Sequence, residues 1–258
     1  MRQVIVVDGH AGGDAVIGYG DLVAREWADQ APAALDPLDE AAILYTSGTT
    51  SLPKGVLITH ANYVFAGEFT SRLIGLRPAD RHLVVLPLFH VNAQYYGVMT
   101  EINVGASVAL MSRFSASRYM RQAIAHQCTV GSLFAAPGRM ILAQPVDPDL
   151  RNNKLRLVLF PQNLTEQQLT EWDERFAAPL LQHYGMTETI GDPMANPLDY
   201  ARDNMTIGMA TLGYDCRVVD EHGRVVAPRT AGRLDHQGLL QEPAGHGQRD
   251  QGRVSVDR

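Results

Sequence analysis

Short runs of β-branched and other large apolar residues alternate along the chain with longer stretches whose apolar positions recur at helical spacing. Val4 to Val7 has the pattern of a strand. Ile43-Leu44-Tyr45 and Val56-Leu57-Ile58 predict two strands flanking a loop of Thr, Ser, Gly and Pro, and Thr59 suits the N-cap of a helix running towards Leu76. Leu83 to Leu86 is a buried strand that Pro87 stops, and Ser107 to Met111 is another. Ser115 is placed to cap a helix through His126, on which Tyr119, Ala123 and His126 share a face. Leu155 to Leu159 is an apolar strand, and Thr165 with Gln168 forms a capping-box pair for a helix through Phe176. Leu180 to His183 leads as a strand into a Gly turn, and Arg217–Asp220 with Arg224–Val226 predicts a hairpin around His222-Gly223. Strands alternating with helices imply the α/β class, a mostly parallel sheet covered by helices. No internal repeat is visible.

The ends differ from the middle. Residues 28–39, rich in Ala, Pro and Asp, form a connector. Beyond Gly232 the periodicity is lost: Arg233 to Arg258 is Gln, Gly, His and Arg with few large apolar residues, and disorder is expected there.

Composition narrows the function. The chain has 258 residues, 45% apolar and 19% charged, an ordinary globular make-up that suits one large domain or two small ones. With 22 Lys+Arg against 28 Asp+Glu the formal net charge is −6, and no basic stripe appears, which argues against nucleic acid as the main partner. A small anionic ligand needs only local cations and amides, so the overall charge leaves it open. Cys128 and Cys216 form neither a Cys-x-x-Cys nor a zinc set, and read as free thiols in a reducing compartment. The apolar run at the N-terminus is too short for a signal peptide, and no segment approaches a membrane span, so a cytoplasmic location is expected.

One segment stands out chemically: Tyr45-Thr46-Ser47-Gly48-Thr49-Thr50-Ser51-Leu52-Pro53-Lys54-Gly55, entered by one strand and left by another. A triphosphate needs convergent donors and a cation. Thr46, Ser47, Thr49, Thr50 and Ser51 supply hydroxyls, Gly48 and Gly55 let the backbone approach phosphate oxygens, Pro53 stiffens the turn and Lys54 carries the charge. It is not a Walker A loop, because Lys precedes Gly and a strand follows instead of a helix. A generic hydroxyl-rich loop is usually only a surface turn; the full string set between two strands argues for the phosphate role.

This string resembles the phosphate-binding loop of the adenylate-forming superfamily, which holds acyl-CoA synthetases, luciferases and the adenylation domains of peptide synthetases. Three further stretches resemble family motifs in the family's order: Pro87-Leu88-Phe89-His90-Val91-Asn92, Tyr184-Gly185-Met186-Thr187-Glu188-Thr189, and Ile207-Gly208-Met209-Ala210 leading to Val219-Asp220 and Gly223. The resemblance covers roughly residues 35–232. It implies the central part of the family's large N-terminal domain, with residues 1–232 as a partial adenylation domain and 233–258 as a tail. It also implies ATP with Mg2+, a small carboxylic acid, and coenzyme A as co-substrate. Tyr184, beside Gly185, would stack on adenine. Thr187 would face the α-phosphate, and Glu188 would hold Mg2+ through one carboxylate plus phosphate oxygens. Lys54, Thr187 and Glu188 are thus the candidate catalytic residues. His90 is either a packed histidine or a residue lining the acid site.

The implied reaction has two halves. A carboxylate attacks the α-phosphorus of MgATP, giving an acyl-adenylate and pyrophosphate, and a thiol then displaces AMP. The acid is already ionised at neutral pH, so no general base is required. Positioning and charge neutralisation carry the reaction. Ser51 where Gly is usual, Phe160-Pro161-Gln162-Asn163-Leu164 where a Gly-Gly-Ala-Pro-Leu type stretch is usual, and Gln94 after His90 resemble the crotonobetaine/carnitine–CoA ligase branch. Phe160 and Gln94 join His90 as candidate substrate residues. A quaternary ammonium substrate favours aromatic faces, and Tyr95, Tyr96 and Phe160 either supply them or pack the core.

The family's ribose-binding Thr-Gly-Asp element, hinge and C-terminal lysine have no counterpart after residue 232. A reading-frame change near codon 232 would produce such a break. Two other readings stand beside an acid–CoA ligase: a nucleotide-binding remnant without turnover, and an enzyme loading a carrier protein. Partial coverage of the domain also leads us to expect self-association through exposed sheet edges.

Overall fold

The computed structural model describes residues 4–6, 16–24, 33–46, 52–134, 136–161, 164–220, 222–226 and 253–257. The chain divides into two units, Met1–Asp36 and Pro37–Arg258. In the first, β1 (Val4–Val6) pairs in parallel with β2 (Val16–Gly18), and α1 (Tyr19–Val23) follows at once.

The second unit opens with an antiparallel hairpin, β3 (Glu40–Thr46) and β4 (Lys54–Thr59), with Thr46 opposite Lys54. Its centre is a seven-stranded sheet of β5 (Arg81–Val84), β6 (Ser107–Leu110), β7 (Val130–Ser132), β8 (Leu157–Phe160), β9 (Leu180–Tyr184), β10 (Met194–Ala195) and β11 (Met209–Ala210). The spatial order is β11-β10-β9-β8-β7-β5-β6. The five strands from β6 to β9 run parallel, and β10 and β11 are antiparallel additions.

Burial on both faces explains the continuous apolar runs of the central strands. Side chains on a strand point alternately to its two faces. On β8, Leu157 and Leu159 join one layer with Leu44, Ile58, Ala66, Ile74 and Tyr95, while Val158 and Phe160 join the opposite layer with Tyr119, Leu133, Trp172 and Phe176. The first layer is the β3–β4 hairpin, α2 (His60–Leu73) and a π-helix, Asn92–Met99, that runs into α3 (Thr100–Val104). The second is α4 (Tyr119–Ala125), α5 (Pro137–Leu142) and α6 (Glu166–Phe176).

Local chemistry sets the helix starts. The Thr59 hydroxyl accepts from the Asn62 N–H at 3.2 Å while Asn62 Oδ1 accepts from the Thr59 N–H at 3.0 Å, closing a reciprocal cap on α2. Thr165 and Gln168 do the same for α6. At the amino end of the sheet Arg156 clamps Asp80 with two bonds, Nε to Oδ1 at 3.0 Å and Nη2 to Oδ2 at 2.6 Å, and donates also to the Ile74 and Gly75 carbonyls.

Three expectations are corrected. Helix α4 starts at Tyr119, not after Ser115: the Ser115 carbonyl accepts from the Arg118 and Tyr119 N–H groups, so a turn precedes the helix, and the Ser115 hydroxyl lies 3.3 Å from that of Ser117. His126 follows the last turn and is exposed, off the buried face of Tyr119 and Ala123. Within the tail expected to be disordered, Arg253–Asp257 forms a strand, β13, antiparallel to β12 (Asp215–Val219). Alternating Val254 and Val256 favour a strand locally, a signal diluted by the polar composition around them. The rest of 233–258 lies outside the described residues. The predicted hairpin is present, with Val219 bridged to Val225 and the Asp220 N–H donating to the Arg224 carbonyl. No helix of the described residues is long and apolar enough to cross a membrane.

Candidate active site

In an open parallel sheet, ligands bind outside the carboxyl ends of the strands, at the point where the strand order reverses. Here the chain passes from β5 to β6 on one side and then returns to β7 on the other, so the reversal lies between β5 and β7. Beyond the carboxyl ends lie Pro87–His90 after β5, Leu133 and Phe134 after β7, Pro161 after β8 and Gly185–Ile190 after β9. Three of these four stretches hold motif residues singled out in the sequence.

His90 is exposed, and its Nδ1 accepts from the Asn92 N–H at 3.1 Å, which leaves the ring proton of the neutral form on Nε2. Desolvation by its surroundings lowers its pKa. The His90 carbonyl accepts from the Ala93 and Gln94 N–H groups and so begins the π-helix. Gln94 is fixed at both ends of its amide: Nε2 donates to the Leu88 carbonyl at 2.5 Å, and Oε1 accepts from the Tyr63 hydroxyl at 2.5 Å. Tyr63 comes from α2 and packs edge-on to Tyr95, with ring centroids 5.9 Å apart.

The loop after β9 meets this group. Tyr184, Thr187 and Glu188 are each half-buried. Burial raises the pKa of Tyr184, and Glu188 raises it further. Burial, then Tyr63, then Glu188 push up the pKa of Tyr95, so the Glu188 carboxylate acts on residues of both the loop and the π-helix. Thr187–Thr189 is one 3-10 turn. The Thr189 hydroxyl accepts from the Met186 N–H at 2.9 Å and faces the Gly191 carbonyl at 2.8 Å, while the Tyr214 hydroxyl donates to the Thr189 carbonyl at 2.8 Å. Ile190 sits at φ +67°. For a β-branched residue this conformation costs on the order of 1–3 kcal/mol and persists only where the surroundings enforce it.

Three buried polar atoms around the loop have no hydrogen-bond partner among the described residues: the Tyr95 hydroxyl, His183 Nε2 and Asp192 Oδ2.

The remaining candidates are distributed differently. Lys54 is exposed at the start of β4, opposite Thr46. Ser47, Gly48, Thr49, Thr50 and Ser51 lie outside the described residues. Gly55 has a packing reason to be glycine, since a Cβ there would stand 2.7 Å from Ile43 Cγ2. Phe160 is wholly buried and faces the α4–α6 layer, on the opposite side of the sheet from Tyr95 and Tyr96, so it offers no ring face to a ligand. Tyr95 and Tyr96 are core residues as well. The structure places His90 and Gln94 after β5 and Tyr184, Thr187 and Glu188 at and after β9, all towards the carboxyl end of the parallel strands, and turns Phe160 into the opposite layer. Tyr63, His183 and Asp192 were not singled out from the sequence. His183 alone carried a signal, a titratable residue inside an apolar strand.

Among the described residues no three His, Cys, Asp or Glu side chains group as a metal site. The donor set around Glu188 fits a hard cation that takes one protein carboxylate and fills its other positions with phosphate oxygens and water. Two open grooves lie elsewhere: one of about 590 Å³ along β6, and one of about 380 Å³ between α4 and α6. Neither includes a residue of the motifs.

Comparison with known proteins identifies the family. The model of the AMP-binding enzyme family matches residues 2–238, running past Gly232. A crotonobetaine/carnitine–CoA ligase of Salmonella enteritidis is 35% identical over 227 residues, which is 88% of this chain and 44% of that protein. The enzyme of the same name from Proteus mirabilis is 37% identical over 203 residues, 79% of this chain and 39% of that protein. Among solved structures, the anthranilate CoA ligase AuaEII bound to anthranoyl-AMP superposes with a TM-score of 0.78 at 21% identity, over 88% of this chain and 44% of that one. ATP-bound MatB from Rhodopseudomonas palustris gives 0.73 at 24% identity, over 83% of this chain and 44% of that one. These two establish likeness of fold. The chain thus spans less than half the length of the relatives it matches.

Proposed function

This chain belongs to the AMP-binding enzyme family, and from that premise we propose that it carries the nucleotide- and acid-binding part of an adenylate-forming ligase that joins a small carboxylic acid to coenzyme A. What supports this reading is the position of His90 and Gln94 after β5 and of Tyr184, Thr187 and Glu188 at and after β9, towards the carboxyl ends of parallel strands in one sheet.

Each residue has a task in that reaction. Glu188 would hold the Mg2+ that accompanies ATP, which would neutralise phosphate charge, and Tyr184 would offer adenine a flat face. The Thr187 hydroxyl and the Lys54 cation, with the 46–51 loop, take phosphate oxygens as negative charge moves from the α-phosphorus to the departing pyrophosphate. The attacking oxygen belongs to the acid, which is ionised at neutral pH, so no protein base is needed. In the second half the coenzyme A sulfur bonds to the acyl carbon and AMP departs with the former carboxylate oxygen. His90 and Gln94 face the acid. Gln94, held at both ends of its amide, is rigid enough to discriminate among polar acid tails. Carnitine and crotonobetaine are the first acids to test, supported by the names of the curated relatives at 35–37% identity.

The test is carboxylate-dependent ATP–pyrophosphate exchange on the purified chain, run beside AMP binding. Exchange with one acid, abolished in Lys54→Ala and Glu188→Gln, is the expected result. AMP binding without exchange supports a second reading, a nucleotide-binding piece that needs further chain for turnover, which the 44% coverage of its relatives favours. Neither binding nor exchange sinks both.

A further inference from the structure

We infer that the buried pair His183–Asp192 is a positioning device that holds the 184–190 loop in the form that receives nucleotide; this deepens the reading of that loop given above and rests on it. His183 is the strand residue immediately before Tyr184, and Asp192 lies just beyond Ile190 and Gly191. Their side chains meet at 2.7 Å, Nδ1 to Oδ1, and neither has any exposed surface. The bond therefore ties together the two ends of the loop that bears Tyr184, Thr187 and Glu188.

Three observations show the loop resting on the pair. A Cβ on Gly185 would stand 2.6 Å from the Tyr96 hydroxyl, 2.8 Å from Asp192 Oδ1 and 2.8 Å from the Gly191 carbonyl. The Tyr96 ring meets the His183 ring edge-on at 5.2 Å, joining the pair to the π-helix that holds Gln94. Burial and then the Asp192 carboxylate raise the pKa of the Tyr96 phenol, so the three groups form one electrostatic unit. The loop above is strained at Ile190, and strain of that kind needs a rigid anchor at both ends. The Thr211 hydroxyl bonded to the Asp192 carbonyl at 2.5 Å, with the Tyr214 bond to Thr189, fastens the far end.

An ordinary core pair would be replaceable by apolar side chains of like shape with little consequence. A positioning pair adds a cost in the loop itself, beyond the cost to the fold of leaving one partner buried and alone. The experiment compares the parent chain with His183→Phe and Asp192→Asn by amide hydrogen exchange over residues 184–192, AMP affinity and thermal midpoint. His183→Phe keeps a ring but removes the bond; Asp192→Asn keeps the shape and an acceptor oxygen. The expected result is exchange about tenfold faster in 184–192 and AMP binding about tenfold weaker in His183→Phe, with smaller changes in Asp192→Asn; the His183→Phe midpoint falls as well, because Asp192 is left buried without its partner, whereas that of Asp192→Asn stays closer to the parent. Unchanged loop exchange in both variants overturns the inference. If His183→Phe does not fold, Asp192→Asn carries the same comparison. A parent chain that binds no AMP overturns the nucleotide reading of the loop, while the exchange comparison still decides whether the pair holds it.

Discussion

At the scale of single residues, the clearest stabilising contact lies away from the chemistry. Asp80 is almost fully buried, and its burial alone would raise its pKa. The Arg156 guanidinium, the Thr129 hydroxyl and the Arg77 N–H outweigh that effect and hold it down at about 2, against an ordinary 3.8. A carboxyl with a depressed pKa in the folded state stabilises the fold fully above its unfolded pKa and loses that contribution as pH falls through the folded one. At about 1.4 kcal/mol per pH unit, this pair is worth about 2 kcal/mol at neutral pH, disappearing between about pH 4 and pH 2. Urea denaturation of the parent and of Asp80→Asn across that range should show the parent losing about 2 kcal/mol more than the variant. Equal slopes would remove Asp80 as the cause. The contact was illegible in the sequence because its partners lie 76 residues apart. Tyr63 and Gln94, 31 residues apart, are a like case; His183 and Asp192 are only nine apart, but no local motif joins them and the fold alone discloses the bond. The catalytic candidates were legible for the opposite reason: a contiguous run such as Tyr184-Gly185-Met186-Thr187-Glu188 keeps its chemistry together in the chain.

Elements were legible where burial and local chemistry agree. Strands β5, β7, β8 and β9 are covered on both faces and announce themselves as apolar runs. Helix α6 carries both members of its cap within four residues. That cap has a measurable value. Thr165→Ala removes the acceptor for the Gln168 N–H while the bond from the backbone N–H of residue 165 to the Gln168 side chain stays in place. The expected loss is about 1 kcal/mol in chemical denaturation, with Thr165→Ser close to the parent. A loss as large in Thr165→Ser would assign the effect to the lost methyl instead of the cap. Elements were illegible where the geometry departs from ordinary periods. The Asn92–Met99 π-helix shows no 3.6-residue stripe, because an i→i+5 ladder puts successive buried residues Tyr95 and Tyr96 side by side. Ser115 misled for a different reason: a serine that begins a turn looks, in sequence, like one that begins a helix.

For the whole molecule, the sheet has a margin that decides how the isolated chain behaves. Strand β6 pairs only with β5 among the described residues, and Val108 and Leu110 on it are exposed. Such an edge offers a row of backbone groups to a second chain. Beside it stand Arg81, Arg113, Arg118 and His126, lining the same groove. Two copies meeting edge to edge would bring these arginines together, so their repulsion opposes the pairing that the apolar edge favours. The balance should move with salt, because at about 0.1 M the screening length is about 10 Å and shortens as salt rises. We expect sedimentation velocity of the 258-residue chain to show more dimer and higher species at 500 mM salt than at 50 mM. Val108→Lys should shift both towards monomer by placing a charge on the edge itself. A monomer at both salt concentrations would rule the edge out as a self-pairing surface, because screened arginines could no longer hold two copies apart. Association that ignores Val108→Lys and weakens with salt would place the contact elsewhere, on a surface held by opposite charges.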